Sequence, residues 1–394
     1  MVRLRVFLEP LSGMGVHPYA DLPPSAFWKS GVSHGDPHAI QGIYRKKFDL
    51  SPQTRIATAG SCFAQHITRR LAGEGLHVLD VEPAPSGLPT SLHQKYGFSL
   101  FSARYGNIYT VRQLLQLAEE VAGDRAPQDY VWERNGRYFD ALRPGVEPEG
   151  LDSPEEVVEH RRYHIAAVKK LFQELDLIVF TLGLTESWEH RESGTVYPMA
   201  PGTFAGKYDP EIHAFRNSQF PDVIGDFNKF QVLLRSLRQG RPFKVMLTVS
   251  PVPLTASASG HHVLVSSSYS KAILRSVAGQ LADNQAHIDY FPSYEIVTNP
   301  KLCSSAFAEN LRSVRESAVD VVMEHFFSQH AFSQHAGRGC SAGPGDSSGG
   351  SPGGMGLARR RADARADAQG RQSDGEASGL ACDEMILDAF APRQ

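Results

Sequence analysis

The stretch Thr54-Arg-Ile-Ala-Thr-Ala-Gly60-Ser61-Cys62-Phe-Ala-Gln-His66 decides how the rest of the chain is read. Ile56 and Ala57 belong to a short apolar run that follows polar Thr54 and Arg55, and Gly60 breaks it. From Cys62 the spacing turns helical, with Phe63, Ile67 and Leu71 on one face. A strand that enters a helix through Ala-Gly-Ser puts Ser61 at the strand's C-terminal end and the helix's N-terminus. Open α/β sheets bind ligands there, and the N–H groups of a first helical turn attract negative charge. Serine at such a place has two readings. It is a favoured helix cap, or it is a nucleophile whose own N–H joins an oxyanion hole. Both can hold at once.

Working outward, Leu76-His-Val-Leu-Asp-Val81 is a second strand candidate, which makes a β-α-β start of about 30 residues, the usual size of a crossover unit. Phe101 to Thr110 carries a Gly106-Asn107 turn signal, and Thr110 can cap a helix bearing Leu114, Leu115, Leu117 and Val121. Residues 125–152 are polar with embedded aromatics and read as a meandering insertion. Ser153-Pro-Glu-Glu156 opens a helix to about Leu175 with a capping-box spacing and Pro at the first position. Leu177-Ile-Val-Phe-Thr-Leu182 is the plainest buried strand, and it ends in Gly183-Leu-Thr-Glu186. Residues 190–220 read as a long loop that shapes a cleft. Then come a helix over about 222–237, strand 243–249 closed by Ser250-Pro251, a helix over 269–283, strand 287–291 and a last helix over about 313–328. Near-continuous apolar strands alternating with helices predict a three-layer α/β sandwich around a parallel sheet.

This organisation divides the chain into an N-terminal arm (1–53) packing aromatics onto the core, an α/β domain (54–329) and a tail (330–394). Gly, Ser, Ala, Arg and Asp dominate most of the tail, so it is read as low-complexity and disordered. Its last apolar stretch, 382–390, has helical spacing and reads as a docking segment for this chain or a protein partner, or as a frayed end. Lys and Arg number 40 against 43 Asp and Glu, so no basic excess points to nucleic acid, and the Arg359–Arg361 run is read as a solvated patch. The 4 cysteines are scattered without a Cys-x-x-Cys pair, which argues against a disulfide scaffold or structural zinc and suits a reducing compartment. No apolar run is long enough to span a membrane, and the N-terminal run is too short for a secretory signal core. A cytoplasmic protein without metal or cofactor is the expectation.

Three strand ends now bring Gly60-Ser61, Gly183-x-Thr185-Glu186 and Ser250-Pro251 to one edge of the sheet. The pattern resembles the GSCFA family, whose name is spelled here by Gly60 to Ala64. The blocks at 101–115, 181–186, 248–252, 269–271 and 290–295 extend the resemblance over about residues 18–328. That family is similar to SGNH-type hydrolases, which implies a flavodoxin-like sheet and a serine nucleophile after the first strand. The resemblance gives Ser61 as nucleophile and its N–H as the first oxyanion donor, with Gly106 beside Asn107 as a second donor. Gly183-Leu-Thr185-Glu186 stands at the Gly-x-Asn-Asp block, so Thr185 replaces a side-chain amide. The Asp-x-x-His block falls on Asn310-Leu-Arg-Ser313, where no histidine stands. A serine hydroxyl needs a base near neutral pH, and His262, in a Gly-flanked loop, is the candidate substitute. Lys271 is read as a surface lysine or as a contact for a phosphate or acidic sugar.

The function expected is that of a serine esterase or O-acyltransferase acting on acyl groups of a carbohydrate or polysaccharide-related substrate. The rival is a degenerate binding protein, for carbohydrate or a partner, that keeps the cleft and has lost the histidine.

Overall fold

A computed structural model describes residues 17–330 and 383–391; the reading of 331–382 as a low-complexity tail, with its arginine run, lies outside the described residues. The elements begin with β1 (Ile56–Gly60), α1 (Phe63–Gly73), α2 (Thr90–His93) and α3 (Val111–Ala122). A hairpin of β2 (Val131–Arg134) and β3 (Arg137–Asp140) leads to α4 (Pro154–Glu174) and β4 (Leu177–Leu182). Then follow β5 (Glu186–His190), β6 (Val196–Tyr197), β7 (His213–Asn217), α5 (Phe220–Leu237) and β8 (Lys244–Val249). The domain closes with α6 (Val263–Asn284), β9 (Ile288–Tyr290), α7 (Ser293–Thr298), α8 (Cys303–Ala306) and α9 (Glu316–Gln329).

The central sheet is parallel in the order β1-β4-β8-β9. Its alternating side chains divide between two helical layers, as a pleated strand buried on both faces requires. Ile178, Phe180 and Leu182 of β4, with Val245, Leu247 and Val249 of β8, pack into one core with α3, α4, α5 and α6. Leu177, Val179 and Met246 point the other way, into a second core with α1, α7 and α9. This is a three-layer α/β sandwich. Tyr44 of the N-terminal region lies in the second core, its hydroxyl 2.9 Å from Asp289 Oδ2.

The segment at 76–81 is less than the full strand expected. Only Val78 bridges β1, supported by Ile56 N–H to His77 O at 2.9 Å and Leu79 N–H to Ile56 O at 2.8 Å. By Val81 the chain has left, and its N–H donates to Ser102 O. The short contact still matters, because the chain lies on one side of β1 at 76–79 and crosses to the other side for β4. That reversal makes the C-terminal end of β1 a topological switch point, where open α/β sheets leave a crevice.

Two caps form as the residue pattern dictates. Thr110 and Gln113 make a reciprocal capping box on α3, and Ser153 Oγ accepts Glu156 N–H with Pro154 at the first helical position. Two expectations fail. Residues 190–220 are no plain loop, because β5, β6 and β7 form a three-stranded antiparallel sheet in the order β6-β5-β7. Helix α6 starts at Val263, well before 269, with His262 as its N-cap. Its exposed first-turn Val263, Leu264 and Val265 do not continue the buried face, so hydrophobic periodicity missed that turn. Among the described residues no helix is long and apolar enough to cross a membrane.

Candidate active site

Ser61 follows β1 directly and is 3% exposed. Gly60 just before it has φ +134°, and a Cβ there would collide with the Thr181 backbone. Only glycine allows β1 to turn this close to β4. A side chain at Gly183 would likewise place its Cβ 3.0 Å from both Ser61 Cβ and Tyr109 O. The two glycines therefore let three chain segments meet around one serine. Among the described residues the Ser61 hydroxyl has no hydrogen-bond partner. A buried hydroxyl left so costs roughly 1–3 kcal/mol.

Asn107 comes beside it from the loop before α3, where Ile108 N–H donates to Gly60 O at 2.9 Å. Gly106, at φ +66°, turns the chain immediately before. Gln65, one turn into α1 from Ser61, donates from Nε2 to Asn107 Oδ1 at 3.3 Å. With its oxygen held, the Asn107 amide directs its Nδ2 donor elsewhere. That donor meets Asp383 Oδ2 at 2.8 Å, a contact spanning 276 residues of sequence. On the opposite side, buried Lys271 of α6 donates from Nζ to Gly183 O at 2.8 Å.

Several expected roles need correcting. The Ser61 N–H donates to Thr181 O at 3.2 Å, continuing the β1–β4 ladder, so it is not aimed at a ligand. The Gly183 N–H is likewise committed, to Tyr109 O at 3.1 Å. Thr185 is fully buried, but its hydroxyl donates to Asn217 Oδ1 at 2.7 Å and its N–H to Ser270 Oγ at 3.0 Å, leaving no donor for an oxyanion. Glu186 accepts from Ser257 Oγ at 2.8 Å, and burial pushes its carboxyl up.

His262 is not placed against Ser61. It caps α6 from an exposed position, and its Nδ1 accepts the Leu264 N–H at 3.2 Å, while among the described residues no imidazole is hydrogen-bonded to Ser61. His66 turns to α9, with Nδ1 3.3 Å from Glu316 Oε1. At the position where a histidine was expected, Asn310 Oδ1 accepts the N–H groups of Arg312 and Ser313, and the Arg312 guanidinium reaches Pro253 O. Cys62 is buried.

Sequence reasoning missed Gln65 and Asp383, and it left Lys271 between a surface role and a contact for an anionic ligand. Lys271 carried a signal, since it lies between Ser267 and Leu274 at the spacing of the buried face of α6. Gln65 and Asp383 carried none, because their importance comes from a contact made through Asn107.

Beyond Thr185, a cleft of about 440 Å³ opens between β7 and α6, lined by Phe215, Asn217, Ser259, His261, Ser266 and Tyr269. The features together define an α/β sandwich with a buried serine at the switch point of its sheet. The GSCFA family model matches residues 55–326, and the chain belongs to the GSCFA family. A comparison with curated proteins gave no match. Among solved structures, a crystal structure of an acetyl esterase mutant with acetate ion is similar at 9% identity, over 69% of this chain and 93% of that chain, with a TM-score of 0.31.

Proposed function

We propose that the protein is a serine esterase or O-acyltransferase in which Ser61 attacks an acyl carbonyl. The observation that carries this reading is the buried Ser61 hydroxyl at the switch point, without a hydrogen-bond partner among the described residues. Protein interiors rarely leave such a group unsatisfied, and functional sites are where exceptions collect. In the step, Ser61 Oγ bonds to the carbonyl carbon as its proton passes to a base, and the carbonyl oxygen becomes the oxyanion. Asn107 Nδ2 supplies a donor for that charge. The tetrahedral species then expels an alcohol, which recovers the proton, and leaves an acyl-serine. Water or a sugar hydroxyl attacks it next, which decides between hydrolysis and transfer.

The base we assign is Lys271, which bonds to the same Gly183 that packs against Ser61. Desolvated lysines serve as bases in other enzymes. A carbohydrate substrate is supported by the cleft beside Thr185, where the rings of Phe215 and Tyr269 stand among amide and hydroxyl groups. Aromatic faces with a few placed polar groups suit a sugar ring. A cytoplasmic setting agrees with this reading.

A second reading has its own observation. The backbone N–H groups of Ser61 and Gly183 are occupied and, among the described residues, no imidazole is hydrogen-bonded to Ser61, as expected of a binding protein that has kept only the cleft. A fluorophosphonate probe separates the two. The enzyme reading expects Ser61 to be labelled, labelling to be absent in Ser61→Ala, and acetyl-ester turnover to fall at least about a hundredfold in Lys271→Met, the low end of a general-base contribution. No labelling and no turnover in the intact chain would sink it.

A further inference from the structure

The contact between Asn107 and Asp383 joins the proposed oxyanion donor to the far end of the chain. Residues Asp383–Phe390 form a short 3-10 helix. Asp383 brings its carboxyl group between Asn107 and Gly145. Oδ2 accepts from Asn107 Nδ2 at 2.8 Å, and Oδ1 lies where a Cβ on Gly145 would come within 2.5 Å. Any side chain at Gly145 would crowd that carboxyl, so the loop there is shaped to admit it. Burial pushes the Asp383 carboxyl up, and the Asn107 amide offsets part of that effect. A carboxyl group is costly to enclose unless a donor meets it.

From this geometry we propose that Asn107, oriented by Gln65, forms a carboxylate-binding subsite next to Ser61, and that the chain's own Asp383 occupies it. The chemistry is specific. An amide held by its oxygen has its N–H groups fixed in direction, and the one that meets Asp383 fits an oxygen with lone pairs to spare. A carboxylate has the same two-oxygen outline as the acid released when an acyl-serine is hydrolysed. Asp383 therefore stands as an internal product mimic, and the C-terminal segment closes the crevice until a substrate acyl group displaces it. The subsite rests on Ser61 as the centre of the site, but its occupancy by Asp383 can be measured without any reaction.

The test uses the full-length chain. Hydrogen exchange is followed at residues 105–109 and 383–390, together with the rate of fluorophosphonate labelling of Ser61. In Asp383→Ala both segments are expected to exchange faster, and labelling is expected to accelerate roughly tenfold or more, the size associated with losing one hydrogen bond to a charged group. Sodium acetate added to this variant should slow exchange at 105–109 again and compete with labelling, while having little effect on the intact protein. Gly145→Ala, which crowds the carboxyl without removing it, should move both readouts in the same direction. Unchanged exchange at 105–109 in Asp383→Ala, or no response of that variant to acetate, would overturn the proposal. Faster exchange reversed by acetate, in a chain that never labels, would uphold the carboxylate subsite and count against Ser61 as nucleophile.

Discussion

Two buried polar regions of this molecule handle polarity in opposite ways. Near α4, Arg161 meets Glu120 Oε1 at 2.8 Å and Asp140 Oδ2 at 3.1 Å, while Arg143 holds the same Asp140 at 2.7 Å. His164 in turn lies 2.8 Å from Glu82. Burial alone would raise the Asp140 carboxyl, but Arg161 and Arg143 outweigh it and hold it below its ordinary value. This network fastens the β2–β3 hairpin and α3 to α4. At the end of β1, by contrast, the Ser61 hydroxyl is equally enclosed and bonded to nothing among the described residues. One region uses polarity to fix structure. The other leaves a polar group in reserve, and the proposed chemistry at Ser61 rests on that difference.

The comparison can be broken by substitution. The largest effect is expected for Arg161→Met, which strands Glu120 and part of Asp140 in the interior. Removing one partner of a buried ion pair costs about 3–5 kcal/mol, so the urea midpoint should fall sharply. A loss below about 1 kcal/mol would show that the network is ornamental to the fold.

A smaller effect is expected from pH. Burial, then the nearby Arg143 charge, pushes His164 down to about 4, whereas an unfolded histidine titrates near 6.5. Between those values the unfolded chain takes up a proton that folded His164 refuses. Stability contributed by the neutral ring is therefore complete above about pH 6.5 and is lost as pH falls towards 4, by up to about 3 kcal/mol. His164→Gln should flatten stability across that window. An unchanged pH profile would mean that the ring is not held neutral.

The smallest effect belongs to the crevice. Ser61→Ala removes an unsatisfied hydroxyl, so folding stability should stay level or rise by up to about 1 kcal/mol. Destabilisation of the size expected for Arg161→Met would mean that the hydroxyl has a structural partner. The contrast between the regions would then collapse.

The same contrast explains what was legible in the sequence. Strands β1, β4 and β8 could be read because residues buried on both faces form near-continuous apolar runs, and Thr110 and Ser153 announced their helices through local spacing. Ser61 could be read because strand, glycine and serine are consecutive. The strands β5, β6 and β7 could not, since the polar, half-exposed residues of Glu186–His190 and His213–Asn217 show no clean alternation. The start of α6 was hidden by exposed Leu264 and Val265. The donors of the crevice were the least legible part. Whether an N–H faces a ligand or a neighbouring carbonyl depends on register between β1 and β4, and sequence spacing does not record that register. Asp383 lay beyond reach for a related reason, because its meaning depends on a contact with a residue 276 positions away.

The small antiparallel sheet has a practical consequence in optics. Strand β4 ends at Leu182 and β5 begins at Glu186, so Gly183, Leu184 and Thr185 alone separate the wall of the crevice from the strand that carries Trp188. That indole is half-buried and meets Tyr208 and Phe215 edge-on, with ring centroids 5.3 Å and 5.7 Å away. Phe215 also lines the neighbouring cleft. The chain thus carries its own fluorophore three residues beyond the crevice rim at Thr185 and in contact with a ring of the cleft. Occupancy can be followed by tryptophan emission without attaching a dye.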